Sequence, residues 1–155
     1  MNYNKKLIPF LTAGTYGEYQ SELLEPMILE SFLNGAGGIT YFKFADFDTP
    51  EDFYYHACAL AKLRPYEDLI AAGKPVTVSA APAGIKTSAL QDKNEILLLI
   101  GNYDGLAPQV SVTLPAAAAK AVDAADGKTL PVKGKVLKVN VPAGKFKLLY
   151  IQLAK

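Results

Sequence analysis

The sequence predicts a strand–helix–strand–helix segment followed by an all-β antiparallel sandwich, with the change at Lys74 and Pro75. Three observations carry this reading. Residues 6–73 alternate short apolar or aromatic runs with stretches of helical periodicity, the pattern of parallel strands joined by crossover helices. Residues 75–153 hold only short apolar runs separated by turn residues, the pattern of a sandwich or barrel. Gly73-Lys74-Pro75 stands between them, dividing an α/β part over 1–73 from a β-sandwich over 74–155.

In the first part, Leu7-Ile8-Pro9-Phe10-Leu11 is a continuous apolar run suited to a strand buried on both faces. Pro9 has no N–H for a ladder, so this strand belongs at an edge or a bulge. A loop rich in glycine and aromatics follows over 12–20. Ser21 is the candidate N-cap of the first helix, with Leu24, Ile28 and Phe32 on one face; Pro26 offers a second starting point. Asn34-Gly35-Ala36-Gly37-Gly38 ends that helix with residues that accept a left-handed cap. Ile39-Thr40-Tyr41-Phe42-Lys43-Phe44-Ala45 is β-branched and aromatic, hence a strand. Thr49, Pro50 and Asp52 then form the start of a second helix, as N-cap, first-turn proline and capping-box carboxylate. Its buried face reads as Phe53, Ala57, Leu60 and Ala61. Pro65 interrupts it, and a short further helix over 65–72 ends at Gly73.

The second part reads as strands near 76–81, 85–91, 95–102, 108–114, 118–123, 129–132, 135–141 and 145–153. Asp92-Lys93-Asn94, Asp104-Gly105 and Asp126-Gly127 supply turns. Residues 116–125 also fit a helix, because alanine is the best helix former. Their length between turn signals and the Asp126-Gly127 hairpin cue favour a strand. Lys133, Lys135, Lys138, Lys145 and Lys147 largely alternate with apolar residues, as on a solvated sheet face. Residues 75–153 hold enough alternating apolar positions for a core of their own.

Half of the 155 residues are apolar, a fifth are charged and the net charge is +1, the composition of an ordinary globular protein. That balance gives no electrostatic footprint for nucleic acid, and no apolar run reaches the length of a membrane span. The single cysteine, Cys58, excludes an intrachain disulfide and a cysteine-based zinc cluster. His56 lies two residues away on the same helix, hence on a different face, which argues against a Cys–His nucleophile pair. The expectation is no metal and no cofactor. Gly35-Ala36-Gly37-Gly38 ends a helix and enters a strand, whereas phosphate loops precede a helix N-terminus.

Three stretches together carry a resemblance: Pro9-Phe10-Leu11-Thr12-Ala13-Gly14-Thr15-Tyr16-Gly17-Glu18-Tyr19, Glu30-Ser31-Phe32-Leu33-Asn34-Gly35-Ala36-Gly37-Gly38-Ile39-Thr40-Tyr41-Phe42, and Leu63-Arg64-Pro65-Tyr66-Glu67-Asp68-Leu69-Ile70. The chain resembles the last two strand–helix units of (β/α)8 glycoside hydrolases that carry a C-terminal β-sandwich. The resemblance implies that 1–73 is the last quarter of a TIM-type barrel. It also implies a parent that hydrolyses glycosides with two carboxyl groups. The chain departs from the family in lacking the first six strands, which usually bear at least one of those carboxylates, so it is expected to be inactive alone.

In a barrel enzyme the active site lies at the C-terminal ends of the strands, here 12–20 and 46–48. Glycoside hydrolysis needs two carboxyl groups about 5–9.5 Å apart, one as acid and one as base or nucleophile. Asp46 and Glu18 are the catalytic candidates, although Glu18 also reads as a solvated loop residue. Asp48 is either a substrate ligand or a residue placed before Thr49 because the helix dipole favours negative charge there. Tyr16, Tyr19 and Phe47 can line a sugar platform. In the β-part, Tyr103 and Tyr150 are a candidate platform, with packing the stronger reading. The expected function is thus the C-terminal part of a carbohydrate-active hydrolase; the alternative is a non-catalytic accessory or carbohydrate-binding sandwich module. The expected partners are a carbohydrate ligand and further copies of the chain, joined through the βαβα half, with neither nucleic acid nor membrane.

Overall fold

The computed structural model of the chain describes residues 7–11, 20–41 and 49–154. Two short strands, β1 (Phe10–Leu11) and β2 (Thr40–Tyr41), pair in parallel with Phe10 opposite Thr40 and Leu11 opposite Tyr41. Helix α1 (Leu24–Leu33) connects them, and α2 (Pro50–Leu63) follows β2. A 3-10 turn at Arg64–Tyr66 then leads into α3 (Glu67–Ala72). The rest is β: β3 (Lys74–Val76), β4 (Ser79–Ala81), β5 (Lys86–Asp92), β6 (Glu95–Asn102), β7 (Gln109–Thr113), β8 (Ala118–Asp123), β9 (Thr129–Leu130), β10 (Val132–Lys133), β11 (Val136–Asn140) and β12 (Lys145–Leu153).

These strands form two antiparallel sheets. One has the order β3-β5-β6-β12-β8-β9, the other β10-β11-β7-β4. Their facing sides enclose one core, which takes Ile96, Leu98 and Ile100 from β6, Leu149 and Ile151 from β12, and Val110, Val112, Leu137 and Val139 from the smaller sheet. The other side of the six-stranded sheet is also buried. Leu97 and Leu99 of β6, with Leu90 of β5 and Leu148 of β12, pack against Leu24, Ile28, Leu29 and Leu33 of α1, Ala59 and Leu63 of α2, and Leu69 of α3. The chain therefore stacks helices, six-stranded sheet and four-stranded sheet as three layers. Because strand side chains alternate between faces, the unbroken run Ile96-Leu97-Leu98-Leu99-Ile100 serves both cores at once.

Several local features follow the sequence reading. Thr49 caps α2, Pro50 occupies its first turn, and the Asp52 carboxylate accepts the Thr49 N–H at 3.3 Å to make a capping box. Gly35 takes φ +88° just after α1, and its N–H bonds the Phe32 carbonyl. Residues 118–123 are a strand, paired with β12 on one side and β9 on the other. Buried Asn102 ties the end of β6 to the following turn: its Nδ2 donates to Leu106 O and Val141 O, and its Oδ1 accepts Leu106 N–H, each at 2.9 Å.

Other expectations are corrected. Ser21 does not cap α1; it begins a 3-10 turn, Ser21–Leu23, that runs straight into the helix, so the first turn needs no side-chain cap there. The run at 76–81 divides into β3 and β4, which join different sheets, and the run at 129–132 divides likewise into β9 and β10. The largest correction is α2. Phe53 and Leu60 are each 43% exposed and Ala57 and Ala61 are exposed too, whereas Asp52, Ala59 and Leu63 are buried. The helix docks through Ala59 and Leu63 in the helical core and through two polar links, His56 with Tyr41 and Lys62 with the buried Glu25 of α1, while Asp52 caps its own N-terminus. Lys145 and Lys147 are not merely solvated, since they pair with Glu22 and with the buried Asp123.

The two-sided sheet sets a first prediction. In a chain beginning at Lys74, Leu90, Leu97, Leu99 and Leu148 lose the helices that bury them. That leaves an apolar sheet face of the kind that drives association. Sedimentation of this shortened chain is expected to show self-association, with Leu97→Gln and Leu99→Gln together restoring a monomer. A monodisperse shortened chain without those substitutions would count against the shared core.

Candidate functional site

β1 and β2 end side by side among the described residues. Leu11 and Tyr41 are partners at the last described residues of β1 and β2, so the segments 12–19 and 42–48 leave the same end of the pair. Both catalytic candidates, Asp46 and Glu18, and the substrate candidates Tyr16, Tyr19, Phe47 and Asp48 belong to those two segments and lie outside the described residues.

Among the described residues, Tyr41 at the end of β2 and the first turn of α2 adjoin the second of these segments in sequence. Tyr41 Oη and His56 Nδ1 are 2.8 Å apart, and the two rings meet edge-on with centroids 5.6 Å apart. Burial holds the His56 pKa below its ordinary value, so the ring is neutral near pH 7. In that form one ring nitrogen donates and the other accepts, and Nδ1 is the one that shares a hydrogen bond with the Tyr41 hydroxyl. At the start of α2, Asp52 is fully buried; one of its oxygens completes the capping box, and Oδ1 has no hydrogen-bond partner among the described residues. The N-terminal peptide dipoles of the helix stabilise the buried carboxylate. The Tyr41–His56 link was not foreseen. Its signal was the position of the only histidine on a helix that follows an aromatic strand directly.

Cys58 makes no pair with His56, and no group of three or more metal-ligating side chains exists among the described residues. No described helix is long and apolar enough to cross a membrane. Tyr150 is a packing residue: it stacks on Tyr66 with centroids 5.3 Å apart, and its hydroxyl donates to Glu95. Burial, with the Glu95 charge, pushes its pKa up to about 12. Tyr103 instead lines a groove of about 390 Å³ beside α1. A larger hollow, about 640 Å³, lies between the helices against Phe32, Ala57, Leu60, Ala61 and Ile70, with Arg64 and Glu67 among its few charged residues.

His56 generates a second prediction. Its ordinary value is 6.5 and its folded value is lower, so the unfolded chain takes up its proton first on acidification. The stability tied to the neutral ring is present above the unfolded value and is lost as the pH falls through the folded value. As the only histidine, it titrates in a window free of other imidazoles. Thermal denaturation is expected to show a midpoint that drops on moving from about pH 7.5 to 5, and a shallower drop in His56→Gln. Equal slopes in the two proteins would remove His56 as the cause.

No family model matches the sequence, and no curated protein matches it. Solved structures do. The chain is similar to the maltogenic alpha-amylase AmyB from Thermotoga neapolitana, with a TM-score of 0.58 and 14% identity over 95% of this chain and 41% of that one. It is similar to an Anoxybacillus alpha-amylase, with a TM-score of 0.59 and 12% identity over 86% of this chain and 33% of that one. A GH30 endoxylanase from Clostridium papyrosolvens C71 gives a TM-score of 0.59 and 14% identity over 92% of this chain and 41% of that one. The chain thus spans well under half the length of these proteins. At such identities the likeness is one of fold, and the fold is one found in glycoside hydrolases.

Proposed function

We propose that this chain is the C-terminal part of a glycoside-hydrolase-like protein, with 1–73 forming the last two strand–helix units of a (β/α)8 barrel and 74–155 its sandwich. The observation that carries this reading is the parallel β1–β2 pair, joined by α1 and followed by helices seated on a six-stranded sheet. That order aligns with the amylase AmyB over 95% of the chain. In such a protein the segments 12–19 and 42–48 form one wall of the active site. Asp46 and Glu18 are then the carboxylates available for protonating the glycosidic oxygen and for activating water or attacking the sugar. Asp48, Tyr16, Tyr19 and Phe47 hold the substrate beside them.

Exposed apolar surface supports the same reading. Leu7, Ile8 and Phe10 are 80%, 62% and 58% exposed, and α2 turns Phe53, Tyr54 and Leu60 outward. Parallel strands are ordinarily covered on both faces and paired at both edges. Further strand–helix units of the barrel supply that cover. The coding sequence upstream of the Met1 codon is the first test: about 200 or more in-frame residues in strand–helix alternation fit a barrel. A stop codon there overturns the proposal.

Two measurements on the chain itself follow. Aryl glycosides are expected to give no turnover above background, because two loops do not surround a glycosidic bond. Hydrolysis that disappears in Asp46→Asn or Glu18→Gln would instead assign both catalytic groups to this chain. Left without its neighbours, the βαβα half is expected to drive homo-oligomerisation, read by light scattering. A monodisperse monomer at high micromolar concentration would refute an uncovered barrel edge.

A further inference from the structure

The groove beside α1 opens between that helix and the turns that follow β6 and precede β12. Pro26 and Met27 form its apolar wall, and Gln20, Glu30 and Tyr103 bring polar groups to it. A smaller hollow of about 190 Å³ continues it toward Lys145. The position of Tyr103 depends on a glycine. A Cβ on Gly101 would lie 2.2 Å from Tyr103 Cε2 and 2.8 Å from its hydroxyl, so the phenol end of the ring occupies space that any side chain at 101 would take. Tyr103 is one of the residues that line the groove.

The polar groups here are not used up by the fold. Neither the Tyr103 hydroxyl nor the Gln20 carboxamide bonds another described residue. Glu30 accepts one long hydrogen bond, from Ser88 Oγ at 3.4 Å, on a single oxygen. Burial and the nearby Glu30 charge push the Tyr103 pKa up to about 12, so its hydroxyl stays a donor across the physiological range. An aromatic ring, a carboxylate, a carboxamide and a phenol thus converge on one groove.

We propose that this groove is a binding site for a neutral saccharide, with a pyranose ring against Tyr103 and its hydroxyls held by Gln20 and Glu30. The C–H face of a pyranose is apolar and slightly positive, and it matches the negative face of an aromatic ring. Sugar hydroxyls both donate and accept, which suits an acceptor-only carboxylate, a carboxamide with both capacities and a phenolic donor. A wholly apolar ligand would strand those groups without partners. Charge selects against acidic sugars, since Glu30 faces the groove and Lys145 is already paired with Glu22 at 3.0 Å. None of these residues lies in 12–19 or 42–48, so the site stands apart from the proposed catalytic wall and holds or fails independently of it.

Titration of the 15N-labelled chain with maltotriose and with xylotriose tests the site. Amide shifts are expected to be confined to the neighbourhood of Gln20, Glu30, Tyr103 and Gly144 for at least one of the two, with dissociation constants of about a millimolar. Tyr103→Ala is expected to weaken binding about tenfold or more, and Tyr103→Phe to keep it within a few-fold. Gly101→Ala, which drives a methyl into the ring, is expected to weaken it as well. Glu30→Ala, at an exposed position, gives the same readout should Tyr103→Ala not fold. The absence of shifts with both sugars at about 50 mM, far above such a constant, overturns the proposal. Shifts that survive both Tyr103→Ala and Glu30→Ala do so too, as does equal binding of a uronic acid trisaccharide.

Discussion

The six-stranded sheet is buried on both faces, and the rest of the molecule depends on that constraint. A sheet with one wet face needs an alternating sequence, but β6 runs apolar from Ile96 to Ile100 without a break. Every second residue belongs to the sandwich core and the others to the helical core. Each fully buried leucine or isoleucine is worth about 1.5–3 kcal/mol relative to exposure. Sandwich and helices therefore draw on the same strand, and β6 cannot be satisfied by either layer alone. The division of composition at Gly73-Lys74-Pro75 marks a change of secondary structure that the packing then bridges.

The ties across that bridge are polar as well as apolar. Lys62 of α2 meets the buried Glu25 of α1 and also stands 5.4 Å above the Phe146 ring of β12. Lys145, at the start of β12, reaches Glu22 beside α1, while within the sheet Lys147 of β12 meets the buried Asp123 of β8. A buried ion pair contributes little net stability but is costly to break one-sidedly, so its main effect is on which arrangement is allowed. Sliding α2 by one turn along α1 separates Lys62 from Glu25, leaving a buried carboxylate without its cation. The apolar contacts decide that the layers join; the lysines restrict where.

This division explains what was legible in the sequence. The strands of the β-part stood out because burial on one face or both gives alternation or continuous runs, and Asp126-Gly127 and Asp92-Lys93-Asn94 mark turns by their own chemistry. Gly127 and Lys93 indeed take φ of +72° and +49°. The helical face of α2 was not legible, because its apolar residues Phe53, Ala57, Leu60 and Ala61 do recur at helical spacing. That stripe is exposed, with Ala57, Leu60 and Ala61 along the hollow between the helices, while the inward face carries Ala59 and Leu63 together with Asp52, His56 and Lys62, polar residues that read as surface until their partners are known. Periodicity identifies an apolar stripe but does not say what the stripe meets. The candidate carboxylates rest on their place after strands in the sequence, whereas the link of Tyr41 with His56 depends on contact between distant residues that spacing does not encode.

The exposed apolar stripe of α2 bears on function as well as on packing. A helix that satisfies its polar groups inward and leaves Phe53 and Leu60 outward is costly for a protein whose surface is complete, since a contiguous apolar patch there invites association. The same helix is economical in a molecule whose apolar stripe meets another helix, because both faces are then satisfied and each by the kind of contact it is built for. In a closed ring of strand–helix units every helix has such a neighbour on either side. The links His56–Tyr41 and Lys62–Glu25, together with buried Ala59 and Leu63, fix the position of α2 against β2 and α1. Among the described residues the βαβα half thus carries Leu7, Ile8, Phe10, Leu23, Phe53, Tyr54 and Leu60 as exposed large apolar side chains, and the β-part only Val136.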